Sequence, residues 1–355
     1  MLQHRHPSLC TKCLALFALI PCGTLVAGST IEETWVTNPS SGVEIHTTVI
    51  YPDTFDSSGS FPGIVLVPGG SGTGNGFFAS GHAQALADLG VVSIYFDPDG
   101  RGQSTNGGTY VDEDYCGFIQ QDGLRAILQH LVAIPGVDPE NIGVQSRSYG
   151  ITMAAGCLGR YPTTPRVKYL VEWEGPAERT DTAAPNGHVP VPPSDEEFWY
   201  EREPGNFIND FGGYVLFMQS EVDHVQPDNA HTILLNNRAV HQSYSGEGRA
   251  FWTRVNEGGG PFPNPTNTTW TLEAPPNWLP EWMPLEARMV DFVEELVGMP
   301  PRPFDADINA DGIVDGADLA LVLIAWATDD PFADVNADQL VDGADLALVL
   351  VSWTP

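Results

Sequence analysis

Three short clusters carry side chains suited to acyl-transfer chemistry. Ser146-Arg147-Ser148-Tyr149-Gly150 lies between an apolar run and a helical pattern. A serine on such a strand-to-helix turn exposes its hydroxyl at a helix N-terminus, where backbone N–H groups converge. Pro68-Gly69-Gly70-Ser71-Gly72 follows another apolar run, and glycines there leave N–H groups free to face a developing oxyanion. Glu221-Val222-Asp223-His224 follows a third run and supplies an acid able to orient a histidine.

A different chemistry is written twice near the end of the chain. Val314–Leu323 recurs unchanged at Val341–Leu350, each copy preceded by Asp-x-Asn-x-Asp. Asp307, Asn309, Asp311, Asp315 and Asp318 in the first copy, and Asp334, Asn336, Asp338, Asp342 and Asp345 in the second, fall at positions 1, 3, 5, 9 and 12 of a calcium loop. The carbonyls of Ile313 and Leu340 take position 7. Oxygen donors at this spacing suit a hard cation, and two calcium ions are expected. From Asp305 to Pro355 there are eleven Asp and no Lys or Arg, so closing either loop without a cation would crowd like charges. Gly312 allows the sharp turn in the first loop; Gln339 stands there in the second.

The elements that must position these groups follow from patterning. Val43–Tyr51 alternates like an antiparallel strand, and short apolar runs at 63–67, 91–96, 142–145, 169–173, 214–218 and 250–255 read as buried strands. Helical spacing falls at 77–89, 116–133, 149–158, 229–240 and 284–297. Strands alternating with helices predict an α/β protein, a mostly parallel sheet with helices on both faces, whose chemistry gathers at the carboxyl ends of its strands. Residues 175–212 form a Pro-rich, lid-like insertion in this 30–298 body. Its Phe198-Trp199-Tyr200, with Trp270, Trp278 and Trp282, reads as packing for a core or lid, the alternative being an aromatic surface for sugar rings. A Pro-rich linker, 299–304, precedes the small all-α calcium-loop module at 305–355.

Residues 1–28 pair a basic start with an apolar stretch and end in small residues, the layout of a secretory signal peptide. The apolar run is broken at Pro21-Cys22-Gly23, too short for a membrane span, so the expected location is secreted or extracytoplasmic. Of the five cysteines, Cys116 and Cys157 remain after export and either pair or stay buried thiols. The formal net charge of −31 excludes nucleic acid and anionic membrane as main partners. Lys occurs only at Lys12 and Lys168, which disfavours P-loop and catalytic-lysine chemistry.

The three clusters, in this order, resemble the α/β-hydrolase superfamily over about residues 45–298. Phe96-Asp97-Pro98-Asp99-Gly100-Arg101-Gly102-Gln103-Ser104 matches a turn of its dienelactone-hydrolase-like and dipeptidyl-peptidase or cocaine-esterase-like branches. The resemblance implies Ser148 as nucleophile, Gly70 and Tyr149 as oxyanion-hole donors and Asp223 as triad acid. Ser146 replaces the usual first glycine of the motif. The family's histidine, expected near Asn256–Phe262, is missing: no His follows His241. His224, His188 and Glu257 are the candidate bases; His231 is expected to face solvent and His241 to lie too far away. Residues 305–355 resemble a type I dockerin, which implies calcium-dependent docking onto a cohesin-like domain or scaffold protein, with Gly316-Ala317 and Gly343-Ala344 at partner-selecting positions. Two functions follow as expectations. One is a secreted serine hydrolase cleaving a small ester or acyl groups on polysaccharide, with no cofactor in the hydrolase domain. The other is a catalytically degenerate hydrolase-fold protein serving as a binding or scaffold component.

Overall fold

The computed structural model describes residues 29–104, 113–162, 165–185, 187–220, 230–241, 250–255, 278–280, 285–298, 306, 308, 314–328, 333, 335 and 340–353. In chain order come β1 (Thr30–Thr37), β2 (Glu44–Tyr51), β3 (Phe61–Val67), α1 (Asn75–Ala79), α2 (His82–Asp88), β4 (Val92–Phe96), α3 (Phe118–Ala133), β5 (Val137–Arg147) and α4 (Gly150–Arg160). Then follow β6 (Tyr169–Trp173), α5 (Glu196–Tyr200), β7 (Tyr214–Ser220), α6 (Ala230–His241), β8 (Ala250–Val255), β9 (Trp278–Pro280), α7 (Leu285–Gly298), α8 (Gly316–Ile324) and α9 (Gly343–Val351).

The strands form one sheet in the order β1-β2-β4-β3-β5-β6-β7-β8-β9. β1 and β2 run antiparallel to their neighbours; from β4 to β9 every pairing is parallel. The sequence explains the division. Ile64, Val65, Leu66 and Val67 are all fully buried, as a parallel strand covered on both faces requires. One face packs on α3 and α4 through Leu124, Leu128, Val144 and Ile151. The other packs on α1, α2 and α7 through Phe77, Leu86, Met289 and Phe292. A separate small core gathers Val322, Ala325, Val341 and Val349 around α8 and α9. Among the described residues, no helix is long and apolar enough to cross a membrane.

The structure departs from the sequence reading in several places. The helical spacing of 77–89 is broken into α1 and α2, because Gly81 takes a left-handed φ of 75° between them. α3 begins two residues later than expected, since Tyr115 and Cys116 hold positive φ and Gly117 is extended. Cys116 and Cys157 are both free and buried. β1 and β9 were not anticipated. His231, expected in solvent, is 6% exposed, and its Nδ1 accepts the Ala177 N–H at 3.0 Å.

Candidate active site

Ser148 occupies the bend between β5 and α4 with a left-handed φ of 52°. Its N–H donates to Trp173 O at 2.7 Å, at the end of β6, while its carbonyl accepts from Ile151 N at 3.1 Å, inside α4. The backbone around the bend is too close for side chains. A Cβ on Gly69 would stand 2.4 Å from Arg147 O, one on Gly150 2.8 Å from Pro68 O, and one on Gly175 2.5 Å from Ser148 O. The glycines that let this turn close therefore come from three separate segments. Ser146 lies in β5, opposite Val67 and Glu172, and is fully buried; the close approach falls at Gly150, Gly69 and Gly175 instead.

The glycine cluster forms the loop from β3 to α1. Gly70 has a φ of 55°, which favours glycine, and Gly72 N donates to Gly69 O at 2.9 Å. Arg101, 4% exposed, fixes the loop from the side. Its Nε and Nη2 donate to the two carboxylate oxygens of Glu113, each at 2.7 Å, and its Nη1 reaches Gly72 O at 3.4 Å. Asp97 closes the same turn, accepting from Gly74 N at 3.1 Å and Gln103 N at 2.9 Å.

His188 comes from the insertion and meets the bend. Its ring lies edge-on to Tyr149, with centroids 4.6 Å apart at 87°. Partial burial, then the positive charge of Arg101, hold the imidazole below its usual value, with Glu113 opposing; the neutral form, which has a nitrogen free to take a proton, is therefore favoured near pH 7. The insertion is tied to the body by Arg202 pairing with Asp114 at 2.8 Å and Arg238 with Glu178 at 2.9 Å, and is braced internally by Arg179 and Glu203 at 2.7 Å. Trp199 is fully buried and donates to Pro192 O at 2.9 Å.

Two carboxylates escaped the sequence reading. Glu172 and Glu174 are fully buried at the end of β6, and Glu174 holds a φ of 48°. A strand read as an apolar run gives no warning of charge at its carboxyl end; the positive φ is a tertiary property. Asp223, His224 and Glu257 lie outside the described residues, as do Asp307, Asn309, Asp311, Ile313, Asp334, Asn336 and Asp338. In the tail, Asp318 and Asp345 are fully buried. Their carboxylates accept from the N–H of Asp315 at 2.8 Å and of Asp342 at 2.7 Å, completing capping boxes at α8 and α9.

A mostly parallel sheet in this strand order, with a serine on a tight left-handed turn after β5, defines the α/β-hydrolase fold. Solved structures sharing the fold include a candidate dipeptidyl aminopeptidase IV from Bacteroides ovatus, with 19% identity over 76% of this chain and 35% of that one and a TM-score of 0.53. Porphyromonas gingivalis dipeptidyl peptidase 4 shows 18% identity over 64% and 32% at 0.51. A 2,6-dihydroxy-pseudo-oxynicotine hydrolase shows 13% over 78% and 71% at 0.53. The chain spans about a third of the length of the two peptidases. No family profile and no curated protein matches the sequence.

Proposed function

We propose that the chain is an exported serine hydrolase that cleaves esters, including acyl groups on polysaccharide, and is tethered through a calcium-binding tail. The observation that carries the reading is Ser148, a non-glycine residue held at φ 52° between a buried strand and a helix. Such strain persists where the surrounding structure enforces it, and it clusters at functional sites. In the proposed reaction Ser148 Oγ attacks the ester carbonyl while a base takes its proton. The N–H groups of Gly70 and Tyr149 stabilise the oxyanion. The alcohol departs with that proton, and water then releases the acid from the acyl-enzyme by the same route.

His188 is the candidate base favoured by its contact with Tyr149 and by surroundings that keep it neutral; His224, beside the acid Asp223, is the alternative. A fluorophosphonate probe and a short-chain chromogenic ester test the reading. Labelling and hydrolysis should both vanish in Ser148→Ala. Loss of hydrolysis in His188→Gln, with His224→Gln active, assigns the base to His188, and the opposite pattern assigns it to His224. An unmodified chain that neither labels nor turns over refutes the enzyme and favours the binding or scaffold reading, which the absence of a histidine after His241 motivates.

For the tail we read a dockerin-like module. Wholly buried carboxylates at Asp318 and Asp345, in a segment without Lys or Arg, fit an all-oxygen cation site. Asp315, Asp318, Asp342, Asp345 and the Leu340 carbonyl would contribute donors with the remaining loop residues. An ion there would neutralise the acids and fix each loop. Leu323, Ile324 and Trp326 are 54%, 79% and 44% exposed, and their counterparts Leu350, Val351 and Trp353 are 51%, 79% and 42% exposed. A duplicated apolar face of this kind supports docking onto a cohesin-like partner.

A further inference from the structure

His188 meets the Tyr149 ring from a loop of the insertion that is held on both sides of it. Gly187 N donates to Ala183 O at 2.8 Å, and Val189 N donates to Thr182 O at 3.0 Å. A Cβ on Gly187 would stand 2.1 Å from Thr182 O, so the loop closes only on a glycine. Val189 is fully buried. The insertion behind this loop shares the main core. Ala177, Val189, Trp199, Ile208 and Phe211 belong to the same apolar cluster as Leu124 of α3 and Ile151 of α4.

Three helices grip the insertion from outside. On α3, Gln121 Nε2 donates to Glu201 O at 2.8 Å and Phe118 N donates to Glu201 Oε2 at 3.2 Å. On α4, Gly159 comes so near that a Cβ would lie 2.3 Å from Phe207 O. On α6, His231 Nδ1 accepts the Ala177 N–H and Arg238 pairs with Glu178. The tightest clamp is Arg202, itself buried. Its Nε donates to Asp114 O at 2.9 Å, its Nη2 to Asp114 Oδ1 at 2.8 Å and its Nη1 to Phe198 O at 2.7 Å. A Cβ on Gly117 would lie 2.2 Å from Arg202 Nη2. Tyr115 and Cys116, between Asp114 and Gly117, hold φ of 49° and 64°, strain that persists where the surroundings enforce it.

Swinging this element outward would bring the wholly buried Trp199, Ile208 and Phe211 into water. Local opening belongs to segments with few buried apolar contacts, and this one has many. Its outer surface is equally telling. Residues 192–197, Pro-Pro-Ser-Asp-Glu-Glu, are all exposed, with Glu196 paired to Arg179. Among the described residues of the insertion, Tyr200 is the one exposed large apolar side chain. Segments that settle on lipid present an apolar face rimmed by basic residues. Here the rim is acidic and the apolar face is turned inward.

We propose that the insertion is a fixed wall of the active site, clamped by Arg202 so that His188 stays against Tyr149, and that the enzyme takes esters presented in water and none at a lipid surface. The proposal rests on the esterase reading for its reaction; the wall stands apart from it. Hydrogen exchange of the unmodified full chain reads the wall without turnover. Amides of 175–212 should exchange within roughly tenfold of those in α3 and α4, and a wider gap would make the insertion a lid. Turnover is then followed on a soluble chromogenic acetate and on tributyrin below and above its solubility limit, with and without anionic phospholipid vesicles. The rate should follow dissolved ester alone; a rise when the emulsion forms or vesicles are added would overturn the proposal. Arg202→Gln should slow fluorophosphonate labelling and lower kcat by roughly tenfold or more, with KM for the acetate little changed, and Glu201→Ala should do so by less. Glu201, partly exposed, keeps the test open should Arg202→Gln fail to fold. Faster labelling in either variant would mean that the insertion occludes the site, and unchanged labelling in both that the clamp positions nothing; each overturns the proposal. If the unmodified chain neither labels nor turns over, the hydrolase reading falls and exchange alone decides the wall. Labelling with fast exchange across 175–212 keeps the hydrolase and rejects the wall.

Discussion

Ser148 sits where an L residue is uncomfortable, and the discomfort is informative. A left-handed φ costs a non-glycine residue about 1–2 kcal/mol, and Ser148 has no glycine's freedom to absorb it at 52°. The turn is enforced from outside: Trp173 O takes the Ser148 N–H, and Gly69, Gly150 and Gly175 admit backbone that a side chain would displace. Ser148→Gly therefore releases strain while deleting the hydroxyl. Its thermal midpoint should rise by about 2 °C, with hydrolysis and fluorophosphonate labelling both lost. A midpoint that falls instead would show the serine side chain to be stabilising in its own right and the strain argument to be wrong. His188 and Tyr149 teach a related lesson. Their residue types are plain in the sequence, but the contact between an insertion and a helix start depends on the Arg202–Asp114 and Arg238–Glu178 pairs that dock the insertion.

At the scale of elements, a buried polar chain joins three of them. His82 of α2 lies with its Nε2 3.0 Å from Gln145 Oε1 on β5, and Gln145 Nε2 lies 3.6 Å from the Met289 sulfur on α7. His82 is 2% exposed; burial first, then the charge of Arg147, bring its pKa down to about 4. In the unfolded chain the same imidazole titrates near 6.5. As pH falls from about 6.5 to 4, the unfolded state gains a proton that the native state refuses, so stability declines through that window and this contribution levels off below it. The full loss is roughly 3 kcal/mol, from about 1.4 kcal/mol per unit of pH. Urea midpoints of the unmodified chain and of His82→Gln, taken between pH 7 and pH 4, isolate it from the many carboxylates. The variant should show the flatter slope, and parallel slopes would mean that His82 takes its proton without penalty. Elements such as these differ in how openly the sequence announces them. β6 and β8 are legible to the residue, because each is a short run dominated by apolar and aromatic side chains of the length a parallel strand takes. β1 hides, since five of its first six residues are exposed and its apolar residues include Ile31 and Trp35 facing outward. The α1–α2 break hides as well, because apolar spacing continues across Gly81 while its φ of 75° cannot be read from periodicity.

Taken whole, the molecule has two kinds of core, and they should answer to different conditions. The sheet is sandwiched by extensive apolar layers containing Phe77, Phe96, Phe217 and Phe292. Around α8 and α9 the core is a handful of alanines and valines, too small to offset the ordering of its loops unaided. Residues 305–355 hold eleven aspartates and no Lys or Arg. On the proposed reading the cations supply the missing stability, and folding there should be linked to their binding. Hydrogen exchange of the full chain in calcium and after chelation reads both units at once. Chelation should strip protection from residues 314–328 and 340–353 and leave α3 and α4 protected; returning calcium should restore it, with equimolar magnesium a poorer substitute because it demands a tighter octahedral shell. The two loops should not respond equally. Gln339 stands where the first loop has Gly312, so titration should fill the first loop before the second, and Gln339→Gly should bring the two steps together. Protection in the tail that is indifferent to chelator would mean that the capping boxes of Asp315 and Asp342 suffice to hold α8 and α9, and that the repeated acids serve something other than a metal.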